Sequence, residues 1–252
     1  GGRADVHIVN KGTVRAETAG KAFNLRADNG WENQGTVEAV AGANLNFQSN
    51  WSNSGTLRIS GGGTMDLPNT GTFTASAAPL TATDASTVNL RGTLNNSNNT
   101  LSFSGDGRFL LLGGQINGGS LAAGSTLIAT TSGGILNGVT LDGNLDLTRA
   151  NGVTVTVVNG LTLNGTATLG NAGNYGYIDF TGSTSTLAGT GTVLFVGTSG
   201  NDTIRTVTAG MTLTLNSGIT VRGTSGSIGY SSGLGGRADV HIVNKGTVRA
   251  ET

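Results

Sequence analysis

IVNKGTVRA (8–16), WENQGTVEA (31–39), WSNSGTLRI (51–59) and LPNTGTFTA (67–75) share one pattern: apolar, any, Asn, any, Gly, Thr, apolar. Their glycines are Gly12, Gly35, Gly55 and Gly71, and NLRGTLNN continues the series with Gly92. A sister motif follows in INGGSL, LNGVTLDGNLDL and VNGLTLNGTATL, and carries Asn117, Asn137 and Asn159 at equivalent places. A period near twenty therefore runs along most of the chain, and such a period is the mark of a repeat architecture.

Each period holds three short apolar runs. Val37 and Ala39 alternate, Leu45 and Phe47 alternate, and Trp51 leads into the next Asn. The runs are too short for helices and alternate with period two, as half-buried strands do. A strand rises about 3.3 Å per residue and neighbouring strands lie about 4.8 Å apart. Three short strands with their turns therefore close one coil, and successive coils stack as an all-β parallel β-helix. Equivalent positions then form columns. The spacing predicts an apolar column of Ile8, Trp31, Trp51 and Leu67, an Asn ladder of Asn10, Asn33, Asn53 and Asn69 at a corner, and a Thr column of Thr13, Thr36, Thr56 and Thr72. Asn and Gly suit the corner because both accept left-handed backbone, and stacked amides bond along a ladder.

A longer period frames the short one. GGRADVHIVNKGTVRAET opens the sequence and recurs at Gly235 to Thr252. On this reading residues 1–234 are one full repeat of a tandem array, and 235–252 are the first coil of the next, identical repeat. At about 20 residues per coil the repeat holds about 12 coils, and at about 4.8 Å each it spans roughly 55–60 Å.

Composition agrees with many short strands and Gly/Asn turns. Gly is 44 of 252 residues, Pro 2, Cys 0, and charged residues 11%. Val, Ile, Leu and Thr recur throughout, unlike a disordered chain. The formal net charge is 0, which gives no electrostatic case for nucleic acid or an anionic membrane. No apolar run is long enough for a transmembrane helix. Without Cys there is no disulfide or thiolate chemistry.

The Asn-x-Gly-Thr coils, with the GGILNGVTLDGNL and GTATLG stretches, resemble the β-strand-repeat regions of large secreted bacterial surface proteins: giant adhesins, autotransporter passengers and filamentous-haemagglutinin-like exoproteins. The resemblance covers essentially the whole chain. It implies a right-handed parallel β-helix, an extracellular or cell-surface location, and a non-catalytic role as fibre, stalk or adhesive surface. It implies partners that are neighbouring copies of the same repeat end to end, with lateral fibre contacts or surface glycans as further candidates. It supplies no catalytic residues and no cofactor.

Residues able to do chemistry are few. His7 and His241 occupy the same repeat position and alternate with inward Val6 and Ile8, so they face solvent. Asp142 and Asp146 would lie about 13 Å apart on one unbroken strand, outside the range of paired glycosidase carboxylates. Asp66 and Asp84 are isolated. GTSGNDTI (197–204) looks like one calcium-binding nonapeptide unit, which makes Asp202 the candidate metal ligand, but RTVTAGMTL after it does not repeat the motif. Trp31 and Trp51 align with Ile8 and Leu67 and read as core. NAGNYGYIDF breaks the coil rhythm, which makes Tyr175 and Tyr177 the candidate ligand contacts. Arg3, Lys11, Arg15, Glu17, Lys21, Arg26, Asp28, Glu32 and Glu38 form a mixed-sign band, read as a solvated face. The alternatives to a structural repeat are a carbohydrate- or surface-binding module and a β-helix polysaccharide lyase or hydrolase.

Overall fold

A computed structural model describes residues 5–74, 80–103 and 106–251. Arg3 of the charge band and Ala75 of the fourth motif lie outside them. The described residues contain strands and turns and no helix. The fold is a parallel β-solenoid of about ten coils with three sheets, and equivalent positions recur roughly 23 residues apart. The chain divides into two compact units, Gly1–Ser125 and Thr126–Thr252.

In the first unit each coil contributes one strand to each of three faces. The second coil, for example, runs Trp31–Asn33, Thr36–Ala39 and Asn44–Phe47. Strand pairing is parallel from coil to coil: Ile8 to Trp31 to Trp51 on one face, Thr13 to Thr36 to Thr56 on the next. On the third face Ala22, Asn44, Thr64, Thr87 and Arg108 stack in one column. Alternation fills the interior: Val37, Leu45, Phe47, Leu57, Ile59, Met65 and Leu67 are fully buried. Each such side chain contributes about 1.5–3 kcal/mol, so stability is distributed coil by coil.

Two expectations are corrected here. Leu67, Asn69 and Thr72 do not continue the columns of the first three motifs. Gly71 stacks on Trp51, Thr72 on Ser52 and Phe73 on Asn53. Leu67 ends a strand of the third face, in register with Leu90, and the Asn69 amide donates to the Phe47 carbonyl at 3.0 Å. The LPNTGTF motif is thus out of step with the others: Gly71, and not Leu67, stands where Trp51 stood one coil earlier. The reason is steric. A Cβ at position 71 would overlap the Trp51 indole, so the glycine serves packing and not a corner. The expected count of coils falls to about ten because this coil closes later than its motif suggests and because the later coils of the second unit are longer.

In the second unit the coils grow. Thr166, Thr192, Thr220 and Thr247 stack in one column, each set further from the next along the chain than any neighbours in the column from Ala22 to Arg108. Two motif runs also merge into long strands, Ile135–Leu141 and Val153–Leu163. The Asn-Gly pairs that the sequence marks as turns become irregularities inside these strands: the register shifts between Asn137 and Val139. Asn159 takes φ 58° and Gly160 81°. Val153, Val155, Val157, Leu161 and Leu163 are buried along one strand, and Phe180 and Phe195 are buried further on.

The second copy of the opening segment folds as a coil. His241–Asn244 pairs in parallel with Thr212–Leu215, and Thr247–Ala250 with Thr220–Gly223. Both copies make the same local turn: Gly12 N–H donates to Asn10 Oδ1 at 3.2 Å and Gly246 N–H to Asn244 Oδ1 at 3.1 Å.

Candidate functional site

The outward residues of Gly176–Phe180 form the most developed side-chain cluster of the second unit. Gly176, Ile178 and Phe180 are buried, so Tyr177 and Asp179 point out. Tyr175 precedes the strand. Its N–H donates to Asn151 Oδ1 at 3.3 Å and its carbonyl accepts from Gly152 N–H at 3.0 Å, which ties it to the preceding coil. The two tyrosine rings stack at 6.5 Å with planes 19° apart, and both residues are half-buried.

Register places Arg205 directly beside Asp179 on the next coil. The guanidinium donates through Nε and Nη2 to both Asp179 oxygens at 2.7 Å and through Nη1 to the Leu234 carbonyl at 2.7 Å. Its carbon lies 4.6 Å from the Tyr177 ring centre. The hydrogen bond to Asp179 raises the Arg205 pKa further against its desolvation, so the cation is permanent. Fork-on-fork pairing of this kind fixes orientation as well as charge. The result is a flat aromatic pair locked by a cation. It offers a stacking surface.

The columns read from the sequence are present where the motif register holds. Asn10 Nδ2 donates to Asn33 Oδ1 at 2.8 Å, and Asn33 Nδ2 to Asn53 Oδ1 at 2.7 Å. The same amides reach backbone carbonyls of Gly12, Gly35 and Gly55 at 3.3, 3.2 and 2.9 Å. Asn33 and Asn53 are fully buried, and the bonds answer the desolvation of their amides. Thr13, Thr36 and Thr56 stack in register. Trp31 and Trp51 are core, stacked 6.1 Å apart, with Phe47 edge-on to both at 4.5 and 5.3 Å.

Asp202 is placed inside and not on a surface turn. It is fully buried, and Oδ1 accepts from Gly176 N–H at 2.9 Å. A side chain at Gly170 or Gly197 would overlap its carboxylate, so glycines make the room it occupies. Burial pushes the Asp202 pKa up, against the opposing backbone amides of Gly176 and Gly197. Among the described residues no group of three or more His, Cys, Asp or Glu could hold a metal ion.

The remaining acids are held singly. Asp142 Oδ1 accepts from Asn164 at 2.7 Å, while Asp146 is engaged by Thr148 and Arg149 at 2.7 Å each. Asp142 lies in the turn between Ile135–Leu141 and Asn144–Leu147, and Asp146 lies on the second of these strands. His7 is exposed, with Nδ1 3.3 Å from the Asn29 carbonyl.

One arrangement was missed by reading charge as a solvated band. Arg15, Glu38 and Arg58 stand in register on three successive coils. Glu38 is buried; it accepts from Arg15 Nη1 at 2.9 Å and from Arg58 Nε at 3.0 Å, with a further bond from Arg58 Nη2. Burial raises the Glu38 pKa, but the hydrogen bonds and charges of Arg58 and Arg15 outweigh it and hold the carboxyl below its ordinary value. The signal was available: the aligned motifs TVRA, TVEA and TLRI alternate Arg, Glu, Arg at one position.

No family model, no curated protein and no solved structure matches this chain in comparisons with known proteins.

Proposed function

We propose that the chain is a structural repeat of an extracellular bacterial fibre, stalk or giant adhesin, without catalytic activity, that extends by stacking coils and repeating in tandem. The observation that carries this reading is the second copy of GGRADVHIVNKGTVRAET, seated as a coil in parallel register on the strands before it. A segment that opens a repeat and also fits the end of one is what continuation of an array requires. Ladders of Asn, Thr and paired charges join the first three coils, and a Thr column joins Thr166, Thr192, Thr220 and Thr247, so coils grip their neighbours and length can grow without a new core. Residues 1–234 form one module on this reading, and 235–252 begin the next.

Labelled electron cryotomography tests it on source cells. An antibody to the segment 1–18 should mark thin surface fibres at intervals of about 50 Å, from about ten coils at about 4.8 Å each. Label confined to isolated soluble particles would refute the fibre role.

A second reading rests on the tyrosine cluster. Tyr175 and Tyr177, stacked, half-exposed and locked by Arg205, form a surface suited to the face of a sugar ring. Binding on a glycan array that disappears with Tyr175→Ala or Tyr177→Ala would support an adhesive role for this side of the protein.

A further inference from the structure

We propose that the edge formed by Thr212–Leu215 and Thr220–Gly223 is a docking site for the first coil of a second copy of this chain, and that residues 241–251 occupy it as an internal cap. The inference rests on the tandem-repeat reading and adds assembly between separate chains to it.

The argument starts from how one coil bonds on its two sides. In a parallel ladder a residue directs both its N–H and its C=O to one neighbour, and the next residue directs its own to the other. The second copy bonds to the coil before it through His241, Lys245, Thr247 and Glu251, whose N–H groups donate to the carbonyls of Met211, Leu215, Ile219 and Gly223, each at 2.9 Å. The first copy bonds to the coil after it through Asn10, Gly12 and Ala16, whose carbonyls accept from Gly35, Thr36 and Val40 at 3.0, 2.8 and 2.9 Å. In the first copy, the counterparts of the residues used by the second are His7, Lys11, Thr13 and Glu17. The two sets do not overlap. The first coil therefore carries, on its other side, the same row of groups that grips the Thr212–Gly223 edge.

Side chains agree with the backbone. In the first copy Arg15 joins Glu17 at 2.9 Å and Glu38 at 2.9 Å. In the second, Glu251 joins Arg249 at 3.0 Å and Arg222 at 2.8 Å. Merging the copies into one coil gives a continuous chain of ion pairs, Arg222 to Glu17 to Arg15 to Glu38 to Arg58, in which Arg222 and Arg15 share a register position and Glu17, beside Arg15, bridges them. Charge alternation of this kind fixes register and rejects wrong partners. Among the described residues of the first unit, the exposed large apolar side chains are Val6, Val9 and Phe23, all on this first coil. The contact joins two different surfaces, so it is head to tail.

The test uses the full chain. Lys245→Pro with Thr247→Pro removes two of the four N–H donors that hold the cap and leaves the first coil untouched. Faster amide exchange across 242–250 should report release of the cap. Sedimentation velocity should then show a concentration-dependent series of linear oligomers where the unaltered chain is monomeric. Free peptide of sequence 1–18 should shorten the series. Adding Lys11→Pro and Thr13→Pro should return the chain to monomer. Those prolines remove the matching donors of the first coil and spare the carbonyls of Asn10, Gly12 and Ala16.

A released cap with no oligomers and no peptide binding would overturn the proposal. So would oligomers that persist in the four-proline chain, or a cap that stays protected after Lys245→Pro and Thr247→Pro. A chain carrying two consecutive repeats separates this from the underlying reading. Slow exchange at its internal boundary, beside monomeric proline variants, would sink docking between chains alone. Fast exchange at that boundary would sink the tandem reading too.

Discussion

The two units solve the same packing problem with different materials. The first closes short coils around tryptophan and phenylalanine and pins its corners with a buried Asn ladder. The second lengthens its later coils and packs Val and Leu from long strands, with Phe180 and Phe195 beyond them. Its Asn–Asn bond, Asn159 to Asn137 at 2.8 Å, lies on the exposed side. Identical residue types therefore carry different energies. An Asn in register at a tight corner is structural cement, while an Asn at a bulge in a long strand supplies left-handed backbone and little else. Place in the strand distinguishes the two: Asn33 ends a three-residue strand at a corner, while Asn159 lies inside Val153–Leu163.

The aromatic stack of the first unit should be the most sensitive point. Trp51→Ala removes a ring that touches Trp31, Phe47 and Phe73, and a loss of about 3–5 kcal/mol is expected by denaturant unfolding. A loss under about 1 kcal/mol would mean that the aromatic interior is not what closes these coils.

The Asn comparison is sharper. Asn33→Ala takes the donor from the buried Asn53 side-chain oxygen, while the Asn10 amide keeps the Gly12 and Thr36 carbonyls. It should cost about 1–3 kcal/mol. Asn159→Gly keeps the left-handed backbone and loses one exposed bond, so the change should stay within about 0.5 kcal/mol. Equal costs at the two sites would break the distinction between corner and bulge.

Two buried carboxyls divide the units by pH. The Glu38 pKa is lowered in the folded state, so its contribution is present above the ordinary carboxylate range and is lost as pH falls through the folded value. Glu38→Gln should cost about 1–2 kcal/mol at neutral pH, because both arginine partners are half-exposed, and the gap should shrink in acid. Asp202 has the opposite sign. Its pKa is raised, so its folded form favours the proton, and stability is lost as pH rises from the ordinary value through the folded one. Asp202→Asn should match the parent in acid and exceed it near neutrality by about 1 kcal/mol. Parallel pH profiles for the two variants would contradict both placements.

Much of the first unit was legible because its register follows sequence spacing. Ile8, Trp31 and Trp51, Asn10, Asn33 and Asn53, and Thr13, Thr36 and Thr56 share one alignment, and the alternation of Arg15, Glu38 and Arg58 sits in the same alignment unread. The fourth motif misled because LPNTGTF has the letters of a corner in a place where the space taken by Trp51 demands a glycine. Asp202 misled for a related reason. Its neighbours Gly197, Ser199 and Gly200 look like a surface turn, and only the glycines of adjacent coils, Gly170 and Gly176, reveal the interior space it fills. The tyrosine cluster was half legible: the break in rhythm marked Tyr175 and Tyr177, but Arg205 lies a full coil away and needed the register to be known.

Solution X-ray scattering on chains of one and two repeats tests the central claim most directly. If repeats continue by stacking coils, the second should lengthen the particle by about 48 Å, from about ten coils at about 4.8 Å each, with the cross-section unchanged. A two-repeat chain that keeps the length of one repeat and doubles its cross-section would contradict the account.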